Sequence, residues 1–279
     1  MCVLLDFQRP VAQHRRVDKP FPGIWISLLL LLAVFAGQLG LGYLLREAMT
    51  VHALLLVGVV NLIVLGTVSA IGYALSREAP RWGRGSSVPA TFVGALAVTV
   101  AGGVVALGWL ADTLSRVLPL PPELARLLDS LLDGPPLEIV FSAVIVAPLT
   151  EELLFRGLIL RGLTRRYGFL PAALVSSALF ALSHLNLVQG LPAFAVGFYL
   201  AWLYRTTGTL WWPILGHGLF NGLSLLLALL FPDSSSVPNA SPMPWLIAAA
   251  GAAVLGLGLL LTKRWAPLSP PGVSDKVAP

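Results

Sequence analysis

The sequence predicts an all-α, polytopic membrane protein with about eight transmembrane helices. Hydrophobic residues make up 57% of the 279 residues and charged residues only 11%. The mean hydropathy is +0.85, so the composition lies well outside that of soluble globular proteins. The apolar residues form stretches of about 20, each long enough to cross about 30 Å of hydrocarbon. We therefore predict one transmembrane domain over residues 24–265, between a basic tail, 1–23, and a disordered tail, 266–279.

The apolar stretches follow one another with short polar links. The first three predicted crossings are 24–45, 51–75 and 88–111. Residues 112–136 mix leucines with charges and prolines, which favours an amphipathic segment at the interface. The remaining predicted crossings are 137–160, 170–187, 191–207, 210–231 and 244–262.

Three glycines and one asparagine predict contacts between helices. Gly251, Gly256 and Gly258 in the last stretch are typical of close helix packing, and Asn61 in the second stretch is typical of an interhelical hydrogen bond.

The basic residues indicate how the chain is oriented. Most arginines and lysines lie in the N-terminal tail or at alternate ends of the predicted crossings. Because basic loops stay in the cytoplasm, we expect both termini there and the chain in the cell (inner) membrane as a multi-pass protein. Because the basic residues behind the net charge of +5 lie in short loops and tails, where they set membrane orientation, we expect membrane lipid as a partner and no nucleic acid. The single cysteine, Cys2, excludes an intramolecular disulfide and a thiolate metal site.

Ionisable and polar side chains inside these stretches mark the candidate functional site. A charged residue at membrane depth costs at least about 2.5–3.5 kcal/mol, so such residues are retained for a reason. The residues concerned are Glu151, Glu152, His184, His217 and Asn221.

The fourth crossing carries two adjacent glutamates with different expected partners. Glu152 and Arg156 are four residues apart and can pair on one helix face. Glu151 projects about 100° away and can face another helix. Pro148 removes a backbone hydrogen bond and is expected to bend the helix beside the acids. The alternative interpretation makes both glutamates structural partners of arginines near the interface.

Two later crossings carry polar residues at four-residue spacing. Phe180 and His184 are expected to share one helix face, and so are His217 and Asn221. His184 alone could simply hydrogen-bond a neighbouring helix. Counted from the helix ends, His184 lies about 20 Å deep but Glu151 only about 10–15 Å. Either the fifth helix starts below the surface or the predicted boundaries are displaced.

These residue types can together hydrolyse a peptide bond without a covalent intermediate. A carboxylate and an imidazole beside one cavity can share a proton taken from water. A second histidine with an asparagine can supply hydrogen-bond donors to the oxyanion that forms when water adds to an amide carbonyl. No serine lies in a recognisable nucleophile elbow.

The three patterns Glu151-Glu152-x-x-x-Arg156, Phe180-x-x-x-His184 and His217-x-x-x-Asn221 resemble the motifs of the CAAX protease and bacteriocin-processing (Abi) family. This family includes the type II CAAX prenyl endopeptidases of the Ras-converting enzyme branch. The resemblance covers about residues 137–230, the expected catalytic core.

The resemblance implies a conical bundle of eight helices around a cavity open to the cytoplasm and the membrane. It implies an intramembrane endopeptidase in which Glu151 is the general base and acts with His184 on the attacking water. His217 and Asn221 would hold the oxyanion, supported by Glu152, Arg156 and Phe180. The expected substrate is a membrane-bound or lipidated peptide or protein.

Metal dependence is left open by the sequence. Glutamate and histidine are zinc ligands, and a zinc site would use Glu151, His184 and His217. The helical signature His-Glu-x-x-His is absent, and a three-ligand site would consume the groups needed as base and oxyanion donors. We therefore favour a mechanism without a cofactor.

Two other functional classes remain. A proton-coupled transporter could use the same ionisable residues, although no internal inverted repeat is evident. A non-catalytic scaffold or immunity protein could keep the same fold and bind a peptide in the cavity.

Overall fold

The computed structural model describes residues 20–45, 53–82, 88–118, 121–122, 134–230 and 244–266. Within these ranges the secondary structure is entirely helical, and the predicted polytopic all-α membrane protein is confirmed. Most of the two predicted tails and residues 119–120 and 123–133 of the predicted amphipathic segment lie outside the described residues.

Eight helices follow one another in the described part of the chain. They are α1 (Ile24–Leu45), α2 (Ala53–Ser76), α3 (Ala90–Val117), α4 (136–167), α5 (Phe169–Leu182), α6 (Leu187–Thr207), α7 (Trp211–Leu230) and α8 (Trp245–Trp265). Six of them, all except α4 and α5, are long and apolar enough to cross a bilayer.

Two predicted helix ends are wrong, and the first of them changes the position of a site residue. The fifth crossing was expected to reach residue 187, but α5 ends at Leu182 after 14 residues, which gives a length of only about 21 Å. The third helix was expected to end at residue 111, but it continues to Val117. In this extra turn and a half, Asp112 and Arg116 form an ion pair of 3.0 Å, which allows charged residues to remain helical.

Helix α4 is continuous but irregular. Its α-helical stretches, Pro136–Ile139, Ala147–Glu152 and Arg161–Tyr167, alternate with the π-helical stretches Val140–Val146 and Leu153–Leu160. The glutamates and Pro148 thus lie in a short α-helical stretch with a π-helical stretch on either side. Departures of this kind from α-helical hydrogen bonding are frequent at functional sites.

Side chains of neighbouring helices hold the backbone of α4 in place. Tyr73 donates from its hydroxyl to the carbonyl oxygen of Leu153 at 3.1 Å. Ser176 donates to the carbonyl oxygen of Phe155 at 3.0 Å. Helices α2 and α5 are therefore anchored to the π-helical stretch that follows the glutamates.

The core consists of two apolar clusters, and the outer surface is apolar as well. The first cluster joins α1, α2, α4 and α5 to one side of α6. The second joins α3, α6 and α7 around Phe92 and Leu200. Large apolar side chains such as Trp25 and Leu39 are exposed at the outside, as expected for a surface that contacts lipid.

Small residues bring α3 and α8 into close contact, as predicted for two of three glycines. A Cβ atom at Gly258 would meet the backbone nitrogen of Thr99 at 2.5 Å, and one at Gly251 would meet that of Ala106 at 2.9 Å. The prediction is wrong for Gly256, which has nothing within 4 Å of such an atom.

The predicted interhelical bond of Asn61 is confirmed. Its side-chain oxygen accepts a hydrogen bond of 2.9 Å from Gln38 of α1.

Candidate active site

A fully buried ionic network joins α4 to α7. Nη1 of Arg156 donates to Oε1 of Glu152 at 2.8 Å, and neither side chain is exposed to solvent. The same Oε1 lies 2.9 Å from Nδ1 of His217. The predicted pairing of Glu152 with Arg156 is confirmed, and the pair also holds an imidazole.

The arginine of this network is fixed from a third helix. Its Nη2 donates to the carbonyl oxygen of Gly197 in α6 at 3.0 Å, and its guanidinium carbon lies 4.6 Å from the centre of the Phe180 ring. A Cβ atom at Gly197 would come within 3.1 Å of both Arg156 Nη2 and that ring. Glycine at this position therefore gives the guanidinium close access to the α6 backbone.

Glu151 points in another direction from its neighbour, as expected from helix geometry. Its Oε2 lies 3.9 Å from Nε2 of His217, and 19% of its side chain is exposed, against 0% for Glu152. The imidazole of His217 thus lies between the two glutamates, bonded to Glu152 through one nitrogen and facing Glu151 through the other.

His184 lies in the short turn between α5 and α6, so the prediction that it shares a helix face with Phe180 is wrong. Its Nδ1 lies 3.0 Å from the carbonyl oxygen of Phe180, and the two rings meet edge to face with centres 5.2 Å apart. The next residue, Leu185, has φ of 57°, a left-handed conformation that is unusual for a bulky residue. The turn after α5, and not a shared helix face, therefore places His184 against Phe180.

The depth discrepancy disappears because α4 is longer than predicted. Helix α4 continues to Tyr167 and meets α5 at Gly168, which has φ of 81°. Glu151 lies seventeen residues before this glycine and His184 sixteen residues after it. The two functional segments therefore reach comparable depths, measured from the α4–α5 turn.

Phe180 is the common neighbour of both imidazoles. Its ring centre lies 5.2 Å from that of His184 and 5.5 Å from that of His217, with both pairs edge to face. Phe155 packs against the same ring at 5.3 Å. The structure thus brings His184 and His217 together around one buried aromatic side chain, and Glu151 faces the second of these imidazoles.

A cavity of about 370 Å³ opens beside these residues. Four of the predicted site residues line it: Phe180, His184, His217 and Asn221. Asn221 donates from Nδ2 to the carbonyl oxygen of Ala143 in the first π-helical stretch of α4 at 2.8 Å. Glu151 is not among the lining residues, but it faces His217, which is one of them.

A metal site needs three or more donor side chains around one point. Among the described residues, no group of three or more histidine, cysteine, aspartate or glutamate side chains is arranged to hold a metal ion. Glu151, His184 and His217 come close to one another without forming such a group, and no chemical step is assigned to zinc.

Asn186 and Gln189 have structural roles that the sequence analysis missed. Asn186 caps α6 by accepting from the backbone nitrogen of Gln189 at 2.8 Å, and its Nδ2 donates to the carbonyl oxygen of His184 at 2.9 Å. The Asn-x-x-Gln spacing resembles a capping box and could have located the start of this helix.

Two comparisons with known proteins cover the site. The family model of Rce1-like type II CAAX prenyl endopeptidases matches residues 134–223. The "Putative membrane peptidase YdiL" of Bacillus subtilis (strain 168) is 36% identical over 94 residues, which is 34% of this chain and 38% of that relative. No solved structure matches the chain.

The matched segment contains all the predicted site residues, from Glu151 to Asn221. The order of the three motifs, the contacts that join their side chains and the family match agree with one another. Residues 134–223 of the chain are therefore similar to the family of Rce1-like type II CAAX prenyl endopeptidases, and the chain covers less than half of the length of the relative that it matches.

Proposed function

We propose that this protein is an intramembrane endopeptidase that hydrolyses a peptide bond in a membrane-associated peptide or protein. The observation that carries this proposal is the position of Glu151, whose carboxylate faces His217 at 3.9 Å beside a cavity lined by two imidazoles and an amide. A carboxylate and imidazoles around a cavity are the groups needed to activate water.

Glu151 is the proposed general base, acting with His184. The water molecule loses a proton to these groups while its oxygen bonds to the carbonyl carbon of the substrate. Because Glu151 is partly exposed and makes no buried ion pair of the kind that occupies Glu152, its carboxylate is available to accept the proton.

His217 and Asn221 are the proposed partners of the oxyanion. Both line the cavity, and one Nδ2 hydrogen of Asn221 is used by Ala143. An amide nitrogen carries two hydrogens, so the second one remains for the substrate oxygen. Glu152, Arg156 and Phe180 support the site by holding His217.

The proposed substrate is lipidated or otherwise membrane-bound. A second cavity, of about 390 Å³, lies between α3, α6, α7 and α8. It shares Leu107, Val196 and Phe220 with the cavity beside the histidines, and most of its lining is apolar. A hydrocarbon chain or an apolar peptide segment suits such a surface. The positive-inside pattern supports cytoplasmic termini and an inner-membrane location.

The proposal is tested by cleavage of a fluorogenic lipidated peptide by the purified protein. Glu151→Gln should lower kcat/KM by about 10²–10⁴-fold, the usual contribution of a general base, without lowering the melting temperature. Asp112→Asn makes the same chemical change at the ion pair on α3 and should leave cleavage unchanged. Equal cleavage by wild type and Glu151→Gln would refute the proposal.

Failure of wild type to cleave any of a broad panel of lipidated and unlipidated peptides would favour a non-catalytic scaffold. Proton-coupled flux through proteoliposomes, lost in the same Glu151→Gln variant, would favour a transporter.

A further inference from the structure

We infer that Glu152 and Arg156 are positioning residues that hold His217 with its proton on Nδ1, so that Nε2 presents a lone pair to the catalytic cavity. His217 would then have to receive a proton from Glu151, the proposed base, before it can donate to the oxyanion. The order of these proton transfers rests on the proposed peptidase function, whereas the position of the resting proton on Nδ1 of His217 does not.

The first step of the argument is the acceptor at Nδ1. Oε1 of Glu152 receives a hydrogen bond of 2.8 Å from Arg156, a side chain that is always protonated. The same oxygen lies 2.9 Å from Nδ1 of His217. An ionised carboxylate only accepts hydrogen bonds, so Nδ1 must be the donor in this contact.

The second step is the state of the other nitrogen. A neutral imidazole carries one proton, and the hydrogen bond at one nitrogen determines what the other can do. With the proton on Nδ1, Nε2 is an acceptor. This is the nitrogen that faces Glu151 at 3.9 Å, so two acceptors from different helices lie side by side at the site.

His184 follows the same rule independently. Its Nδ1 lies 3.0 Å from the carbonyl oxygen of Phe180, and a carbonyl oxygen can only accept. Its Nε2 is therefore also an acceptor when the ring is neutral. With both rings neutral and Glu151 ionised, as a general base must be, these three side chains offer acceptor atoms to the site, and water is a molecule with two protons to donate.

The consequence for the reaction is a defined order of proton movement. One O–H bond of water breaks and its proton goes to the carboxylate of Glu151, the proposed base, while the water oxygen bonds to the carbonyl carbon. Glu151 then passes this proton to Nε2 of His217, the nitrogen that it faces. The carbonyl π electrons move to oxygen, and the new Nε2–H can donate to this oxyanion. Collapse of the tetrahedral intermediate breaks the C–N bond and returns a proton to the leaving amine. His217 thus changes from acceptor to donor when the negative charge develops.

The test is ¹⁵N NMR of the full chain labelled at histidine, in detergent, without substrate, at a pH where the imidazoles are neutral. Ring nitrogens with and without a proton have well-separated chemical shifts, and His217→Gln identifies the signals. In wild type, Nδ1 of His217 should be protonated and Nε2 should not. Glu152→Gln should keep this pattern, because the glutamine oxygen still accepts from Arg156 and from Nδ1.

The double variant Glu152→Leu/Arg156→Leu removes both groups and should move the proton of His217 to Nε2 in a measurable fraction of molecules. His184 is the internal control, since its partner is a backbone carbonyl and its signals should not change. A wild-type spectrum with the proton on Nε2 would overturn the inference, as would an unchanged His217 pattern in a folded double variant. The wild-type and Glu152→Gln spectra keep the test decisive if the double variant does not fold.

Failure of this inference and failure of the proposed function give different results. The expected spectra together with no peptide cleavage would leave the positioning role intact and refute the peptidase. Cleavage that depends on Glu151, with the proton on Nε2 of His217, would retain the peptidase and refute the positioning role.

Discussion

The buried pair of Glu152 and Arg156 should be strongly coupled in stability. Both side chains are fully buried at 2.8 Å from each other, so removing one leaves a charge without its main partner in a medium of low dielectric constant. Breaking a buried pair in this way costs about 3–5 kcal/mol, whereas replacing both partners with apolar residues is often nearly neutral. We expect Arg156→Leu and Glu152→Leu each to lower the free energy of unfolding by about 3–5 kcal/mol.

The double variant should lose less stability than either single variant. It leaves neither charge uncompensated, although it still removes the hydrogen bond of Arg156 to Gly197 and the contact of Oε1 with His217. Unfolding in detergent mixtures of increasing denaturing strength measures all four proteins of the cycle. Asp112 and Arg116 provide the matched control, with the same spacing and a 3.0 Å contact but partial exposure.

The surface pair should show a coupling of only about 0–1 kcal/mol. Additive losses at Glu152 and Arg156, with the double variant as damaged as the sum of the two single variants, would refute this reasoning. Such a result would mean that the pair is solvated, for example through the cavity, and that its charges do not depend on each other.

Two further predictions concern helix packing and metal. Gly258→Ala should lower the melting temperature, because the added Cβ would meet the backbone nitrogen of Thr99 at 2.5 Å and α3 and α8 would have to separate. Gly256→Ala is the control and should have little effect, since nothing lies within 4 Å of its added Cβ. Equal melting temperatures of the two variants would contradict the packing of α3 against α8. A tight zinc chelator should leave peptide cleavage unchanged, and inhibition that added zinc reverses would contradict the proposed metal-free mechanism.

Composition and helical spacing were sufficient to predict the helices and the pairing inside α4. The pairing of Glu152 with Arg156 follows from their i,i+4 spacing alone and does not depend on how α4 packs against other helices, since both residues belong to one helix. The same spacing failed for Phe180 and His184, because the helix ends at Leu182. Local sequence does not show this end clearly, as Leu185 adopts a left-handed conformation that leucine rarely takes.

For contacts between helices, the sequence could predict which residues take part but not which of their atoms meet. The sequence indicated that Glu151 can face another helix and that His217 belongs to the same site. In the structure Glu152 makes the close contact with Nδ1, and Glu151 faces Nε2 at a longer distance. Which of two adjacent carboxylates meets an imidazole depends on the rotation of α4 against α7, which is determined by packing throughout the bundle.

The short α5 gives a physical reason for a wet cavity at this place. A helix of 14 residues reaches only about 21 Å, so a turn that follows it lies within the apolar layer if α5 begins at the interface. Backbone outside a helix is tolerated there only where its polar groups are satisfied or line an aqueous cavity. Ser183 and Asn186 bond the backbone around the turn, while His184 lines the cavity. The turn that places polar groups within the apolar layer therefore also places the imidazole of His184 at the cavity, where the proposed reaction needs water.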